Sequence, residues 1–165
     1  MDSRHRARRL VMQGLCCLDA QGPPAAAPMH EFIDDSREGD ETLAVAHPLL
    51  DEAFADRPAC DELLVRHARH WELGRLAMVD RNILRLAVHE MRCGRAPVKV
   101  LITEAIRLAR EFSTADSPRF VNGVLDAVAR EISSSRDAGD AGDTSLAGRQ
   151  EEEEDGGEKS GDRGA

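Results

Sequence analysis

Apolar side chains recur at intervals of three or four residues along much of the chain, which is the spacing of one face of an α-helix. Near the N-terminus, such a face runs from Ala7 to Leu18, and Ser3 is placed to cap the first turn. The pattern therefore predicts a first helix over residues 3–18.

The segment 74–132 has the most regular pattern and predicts three consecutive helices. The first of these ends near Gly94, and Pro97 lies in the first turn of the second. Ser117 and Pro118 form the N-cap and first turn of the third.

The part of the chain between these segments is less regular. Residues 21–41 are rich in glycine, proline and acidic residues and predict a break. Residues 43–71 are helical apart from Pro48 and Pro58, and favour a helix over residues 60–70. No stretch alternates with period two, so the predicted fold class is all-α, with short antiparallel connections.

Residues 134–165 contain mainly glycine, serine and acidic residues, and Leu146 is their one large apolar residue. Such a segment cannot bury enough apolar surface to offset its ordering entropy, so we predict a disordered acidic tail. The chain then divides into a helical domain, 1–133, and the tail, 134–165. The tail carries −6 of the net charge of −9, which leaves only −3 on the domain.

Composition excludes several classes of protein. No apolar run approaches the roughly 20 residues that a membrane-spanning helix needs, and the Arg-rich start lacks the apolar stretch of a secretory signal. The four cysteines, Cys16, Cys17, Cys60 and Cys93, show no CxxC spacing. This usage predicts reduced thiols and a cytoplasmic location.

Motifs of catalysis are missing from the sequence, which has no phosphate loop, nucleophile elbow or paired metal-ligand motif. His67 with His70, and His89 with Cys93, have spacings that place each pair on one helix face. Two ligands supply at most half of a zinc site. We therefore expect no metal, no cofactor and no enzymatic activity.

Four arginines crowd the start of the first predicted helix: Arg4, Arg6, Arg8 and Arg9. Like charges at these spacings repel one another, and cations near a helix N-terminus oppose the helix dipole. A bound polyanion such as RNA or DNA would relieve both penalties. The alternative is a solvated, frayed terminus.

A second group of basic residues, Arg81, Arg85, His89 and Arg92, recurs at intervals of 4, 4 and 3 on the central helix. We interpret this stripe as a solvent face, supported by neighbours such as Glu90.

The start of the last predicted helix combines a cation and an aromatic ring. Phe120 lies one position away from the apolar face that begins at Val121, with Arg119 beside it. Such a pair can stack an unpaired base and hold its phosphate. The alternative is that Phe120 covers the edge of the core. Gly123, inside the same helix, is expected to permit close contact with another helix.

Four blocks of the chain resemble the family of the transcription antitermination factor NusB, in the order and at about the separations found in that family. The blocks are RRLVMQGL from Arg8, LAMVDRNILRLAVHE from Leu76, PVKVLITEA from Pro97 and SPRFVNGVLD from Ser117. Together they make the resemblance specific over residues 4–132. Cys16-Cys17 and His89 stand where relatives commonly have aromatic residues, and residues 19–60 show little of the family pattern.

The resemblance implies an all-α, NusB-like bundle of about seven helices in two small sub-bundles. It also implies a non-catalytic protein that binds the boxA element of ribosomal RNA operon leaders together with NusE, a small-subunit ribosomal protein. That pair joins an antitermination complex of RNA polymerase with NusA and NusG. The implied RNA-binding residues are Arg4, Arg6, Arg8, Arg9, Gln13, Asp116, Arg119 and Phe120. Asp80 matches an acidic position implicated in the NusE contact, and we assign Arg81 and Arg85, on the same helix, to that surface.

Two other functions stay open as alternatives. Some ribosomal RNA methyltransferases carry a NusB-like accessory domain ahead of a catalytic domain, but here only the tail follows the resemblance, so we expect no such domain. The other alternative is a protein-binding helical module without RNA affinity, against which the retained basic start and Arg119-Phe120 argue. The five carboxylates at 151–155 could also compete with RNA for the basic start, although we favour a purely solubilising tail.

Overall fold

The computed structural model describes residues 2–68 and 70–143, which form seven α-helices and two short 3₁₀ segments, with no strand among them. The all-α prediction is confirmed. The helices are α1 (Ser3–Gln21), α2 (Ala26–Asp34), α3 (Asp40–Ala55), α4 (Arg57–His67), α5 (Met78–Cys93), α6 (Val98–Phe112) and α7 (Ser117–Asp143).

The helices pack in two groups that meet along α1 and α5. In the first group α1, α2 and α3 contact one another, and in the second α5 contacts α4 and α6. Hydrogen bonds from Ser117 to Asp80 and from Arg66 to Glu131 attach α7 to α5 and α4. The contact between α1 and α5 joins the groups. This arrangement agrees with the two predicted sub-bundles.

Aliphatic side chains form the core. The apolar faces that define α1, α5, α6 and α7 in the sequence are buried, and Val11, Leu84, Leu125 and Val128 are fully inaccessible to solvent. Burial of these faces, at about 25 cal/mol per Å² of apolar area, is the main force that holds the helices together.

Two predicted caps are corrected by the structure. Asp2, rather than Ser3, caps α1, since the Asp2 carboxylate accepts a hydrogen bond from the backbone N–H of Arg4 at 3.3 Å. Pro97 is the N-cap residue of α6 and lies just before its first turn. Neither shift changes which faces are buried.

The predicted break at residues 21–41 contains a helix that the sequence analysis missed. A 3₁₀ segment, Pro23–Ala25, leads into α2, and Pro28 lies within the first turn of α2, where a missing N–H is harmless. Ile33 is fully buried. Because α2 buries essentially one large side chain, its sequence shows almost no helical periodicity.

The two internal prolines have different effects. Pro48 lies inside α3 without ending it, because the buried Leu49 and Leu50 beside it anchor the helix to the core. Pro58 lies at the start of α4, which covers Arg57–His67 and so begins and ends three residues before the predicted 60–70.

Helical structure continues beyond the predicted end of the domain. The contacts divide the chain into the units Met1–Ser133 and Ser134–Ala165, at the predicted boundary. However, α7 extends to Asp143, so residues 134–143 are helical rather than disordered. The rest of the predicted tail, including the carboxylates at 151–155, lies outside the described residues. No helix in the described ranges is both long enough and apolar enough to span a bilayer.

Candidate nucleic-acid interface

Arg8 is buried, in contrast to the exposed cation that its position in the basic start suggested. Its guanidinium donates two hydrogen bonds of 2.9 Å to the Glu90 carboxylate, and lies 3.7 Å from Glu104. Burial alone would lower the pKa of Arg8, but the hydrogen bonds and charge of Glu90 outweigh it, so the pKa is raised. Arg8 therefore links α1 to α5 inside the molecule.

Two more N-terminal arginines also meet carboxylates of the chain itself. Arg9 lies 2.8 Å from Glu111 and 5.6 Å from the centre of the Phe112 ring, and Arg6 lies 3.4 Å from Glu38. These carboxylates, together with the Asp2 cap, relieve the repulsion and the dipole penalty that we had assigned to a bound polyanion. The charge argument for RNA at this helix start is therefore weaker than the sequence suggested.

Arg4 keeps the character expected of an RNA-binding cation. Its side chain is exposed and has no ion pair within the described residues. It lines a cleft of about 280 Å³ with Arg95 and the Arg8–Glu90 pair. Gln13, two turns further along α1, is half-buried.

The start of α7 is fixed by a buried hydrogen-bond cluster around Asp80. The Asp80 carboxylate, on α5, accepts hydrogen bonds from the hydroxyls of Ser113 at 2.6 Å and Ser117 at 2.8 Å. Asp80 and Ser117 are both more than nine-tenths buried. Asp80 thus holds the loop between α6 and α7 against α5.

Around this cluster, the structure brings together the second set of predicted RNA-binding residues. Asp116 and Arg119 are exposed, and Phe120 is half-buried with its ring against Trp71. Arg119 lines a cleft of about 470 Å³ with Arg110 of α6, and neither arginine has an ion pair within the described ranges. This corner offers exposed cations beside an aromatic ring, the combination that single-stranded nucleic acid requires.

The two candidate RNA patches connect through α6. Arg9 lies over the ring of Phe112, the last residue of α6, and the next residue, Ser113, bonds to Ser117 at the start of α7. A strand of RNA crossing the end of α6 could therefore contact both patches.

The basic stripe on α5 is not a solvent face, which corrects the sequence interpretation. Arg85 is 7% exposed and donates hydrogen bonds of 2.7 and 2.8 Å to Asp61, while Arg81 donates one of 2.9 Å to Asp19. The sequence concealed this because the acidic partners lie on α1 and α4. Arg81 is half-buried, so the predicted NusE contact of Asp80, Arg81 and Arg85 would use the edge of this network.

The histidines once considered as metal ligands bond to carboxylates instead. His89 lies 2.8 Å from Asp56, and His67 contacts Glu131. Within the described residues, no group of three potential ligands is placed to hold a metal ion. All four cysteines fall in those ranges and are free thiols.

Gly123 does not have the packing role that its position suggested. A Cβ there would meet nothing within 4 Å, whereas a Cβ on Gly14 would approach Leu50 to 2.9 Å. Gly14 is therefore the glycine that permits close helix contact, between α1 and α3.

Sequence reasoning missed Trp71 and Arg110 at the α7 corner. Trp71 is the only tryptophan in the chain, and 59% of it is exposed. Composition alone could have drawn attention to it, but its partner Phe120 is 49 positions away in the chain. Arg110 lies on the polar face of α6, where the sequence cannot distinguish a binding cation from a solvated one.

Comparison with known proteins gives the same family as the resemblance. The NusB family model matches residues 5–130, which is most of the chain. A curated "Transcription antitermination protein NusB" from Solibacter usitatus is 43% identical over 134 residues, covering 80% of this chain and 92% of the relative. The chain belongs to the NusB family.

Other NusB proteins and NusB structures agree. The NusB of Symbiobacterium thermophilum is 36% identical, covering 84% of this chain and 97% of the relative. The structure of T. maritima NusB matches with a TM-score of 0.71 at 32% identity, covering 78% of this chain and 91% of that one. A structure described as antitermination factors NusB and NusE in complex with dsRNA, at 24% identity and a TM-score of 0.70, shares the NusB fold; it covers 79% of this chain and 98% of that one.

Proposed function

We propose that this NusB-family chain is a non-catalytic, RNA-binding transcription antitermination factor. It binds the boxA element of ribosomal RNA operons together with NusE, and joins the RNA polymerase complex that contains NusA and NusG. Membership of the family and the names of its relatives support this role. The cytoplasmic location expected from the cysteines is part of the proposal.

The observation that carries the proposal is the exposed corner at the start of α7. There Arg119 and Phe120 project beside Arg110, and neither arginine has a carboxylate partner within the described residues. Phosphates bind such cations, and bases stack on exposed rings. A purely protein-binding module would not require that pairing, so we rank it second.

The proposed RNA path uses the predicted residues unequally. Arg4, Arg9, Arg119 and Phe120 are accessible along a line from α1, across the end of α6, to α7. Asp116, also exposed, lies at the same corner. Arg8 contributes by holding α1 in place.

Salt dependence tests this role directly. About four phosphate contacts give a slope of log affinity against log salt on the order of −3 for a single strand. Arg119→Ala should weaken binding of a boxA-type single strand and reduce the slope by about 0.7. Arg75→Ala provides a matched control, because Arg75 is exposed and paired with Glu72. A wild-type slope near zero would contradict the proposal.

A further inference from the structure

Trp71 is the most unusual exposed residue of the molecule. It is the chain's only tryptophan, in a protein with five aromatic residues and no tyrosine, yet 59% of it is exposed. A side chain of this size usually buries most of its surface. Its exposure suggests that a partner covers it.

Trp71 and Phe120 form two walls of one cleft. Their ring centres are 5.8 Å apart and their planes meet at 67°, so the rings form a corner rather than a stack. The cleft, of about 290 Å³, is also lined by Asp116 and Thr114. The Asp116 carboxylate has no hydrogen-bond partner within the described residues.

This aromatic cleft adjoins the arginine cleft across the first turn of α7. Thr114 lines both, with Phe120 on one side and Arg119 on the other. One side thus offers flat apolar rings and a carboxylate acceptor, and the other offers guanidinium groups. A nucleotide presents a flat base with hydrogen-bond donors and, a few bonds away, a phosphate. No single peptide side chain combines both features.

We propose that Trp71 is a further RNA-binding residue, which with Phe120 clasps one unpaired base while Arg110 and Arg119 hold the adjacent phosphate. Asp116 accepts a hydrogen bond from the edge of that base. The proposal deepens the function given above and rests on it.

The single tryptophan makes the test specific, because all indole emission of the chain reports on this cleft. The full chain, without NusE, is titrated with a boxA-type single strand at low salt. Tryptophan emission is followed in one experiment, and the anisotropy of end-labelled RNA in a second. Stacking of a base on Trp71 predicts quenching of the emission at the same RNA concentration at which the anisotropy rises.

Three variants give the energetic test. Trp71→Ala should weaken RNA binding roughly 5- to 150-fold, the loss expected for one base–aromatic stack. Trp71→Phe should restore most of the affinity, because it keeps an aromatic face. Phe32→Ala is the matched control: Phe32 is an aromatic residue of α2 that is 41% exposed, and its loss should change affinity less than twofold. Circular dichroism and thermal unfolding check that each variant is folded.

The outcomes separate this inference from the function on which it rests. RNA binding that leaves the emission unchanged and is insensitive to Trp71→Ala would overturn the inference and leave the RNA-binding function standing. Emission that responds to NusE alone, with RNA affinity unchanged in Trp71→Ala, would assign the cleft to a protein partner and also overturn it. Failure of the wild-type chain to bind RNA, with NusE or without it, would contradict both.

Discussion

At the scale of single residues, burial decides what each arginine of the basic start can do. Arg4 and Arg8 are one helical turn apart and look equivalent in the sequence. Arg8 faces α5, where the buried Glu90 needs a counter-charge, and Arg4 faces solvent. The same residue type therefore stabilises the fold at one position and remains available to a ligand at the other.

Substitution of these two arginines should separate stability from binding. Arg8→Ala leaves Glu90 buried without its partner and should lower the free energy of unfolding by about 3–5 kcal/mol. Arg4→Ala should change it by less than about 0.5 kcal/mol and weaken RNA binding. Urea denaturation and RNA titration of both variants provide the comparison. If Arg8→Ala kept full stability and lost only RNA affinity, the structural role of Arg8 would be wrong.

At the scale of helices, the sequence predicts those elements that bury a continuous apolar face. α1, α5, α6 and the start of α7 follow this rule, and their predicted positions agree with the structure to within a few residues. α2 escaped prediction because it has only nine residues and buries one large side chain. The break of α3 expected at Pro48 failed because tertiary packing outweighs the loss of one backbone hydrogen bond.

The candidate site was predictable only in part, for a related reason. Arg119 and Phe120 are adjacent in sequence and next to a helix start, so local reasoning finds them. Trp71 joins them through a tertiary contact, and the acidic partners of Arg8 and Arg85 lie on other helices. Ion pairs between distant segments leave no local pattern in a single sequence.

The two helical glycines should respond to alanine in opposite directions. Gly14→Ala forces Leu50 to move within a packed core and should destabilise the protein by about 1–2 kcal/mol. Gly123→Ala adds a Cβ in open space and should stabilise it by up to about 1 kcal/mol through helix propensity. Thermal unfolding of the two variants measures both effects. Equal changes in stability would contradict the assigned helix contact.

The contact between α1 and α5 should make the fold sensitive to acid. Burial alone would raise the pKa of Asp19, but hydrogen bonds from Arg81 and Asn82 outweigh it and hold the pKa below its usual range. Because the folded-state pKa is depressed, the stabilisation is complete above the ordinary value of about 4 and is lost as pH falls through the folded-state pKa.

Asp19→Asn should therefore be less stable than the wild type at neutral pH and lose less stability on acidification. Urea denaturation at a series of pH values from about 6 to 2 measures this difference. Parallel stability profiles for the two proteins would show that Asp19 does not contribute.

At the scale of the whole molecule, the acidic net charge conceals a distribution that suits RNA binding. Residues 134–165 hold most of the excess negative charge, while the unit before them carries exposed cations at the α7 corner and at Arg4. Competition between the carboxylates at 151–155 and RNA stays a hypothesis, since those residues lie outside the described part of the chain.

The central claim is that this chain binds boxA-type RNA as part of an antitermination complex. The most direct test is to measure its affinity for a boxA-type single strand and for a scrambled strand, at one moderate salt concentration, with and without NusE from the same source. We predict selective binding of the boxA-type strand that becomes tighter when NusE is added. Weak binding that is equal for both strands and indifferent to NusE would contradict the claim.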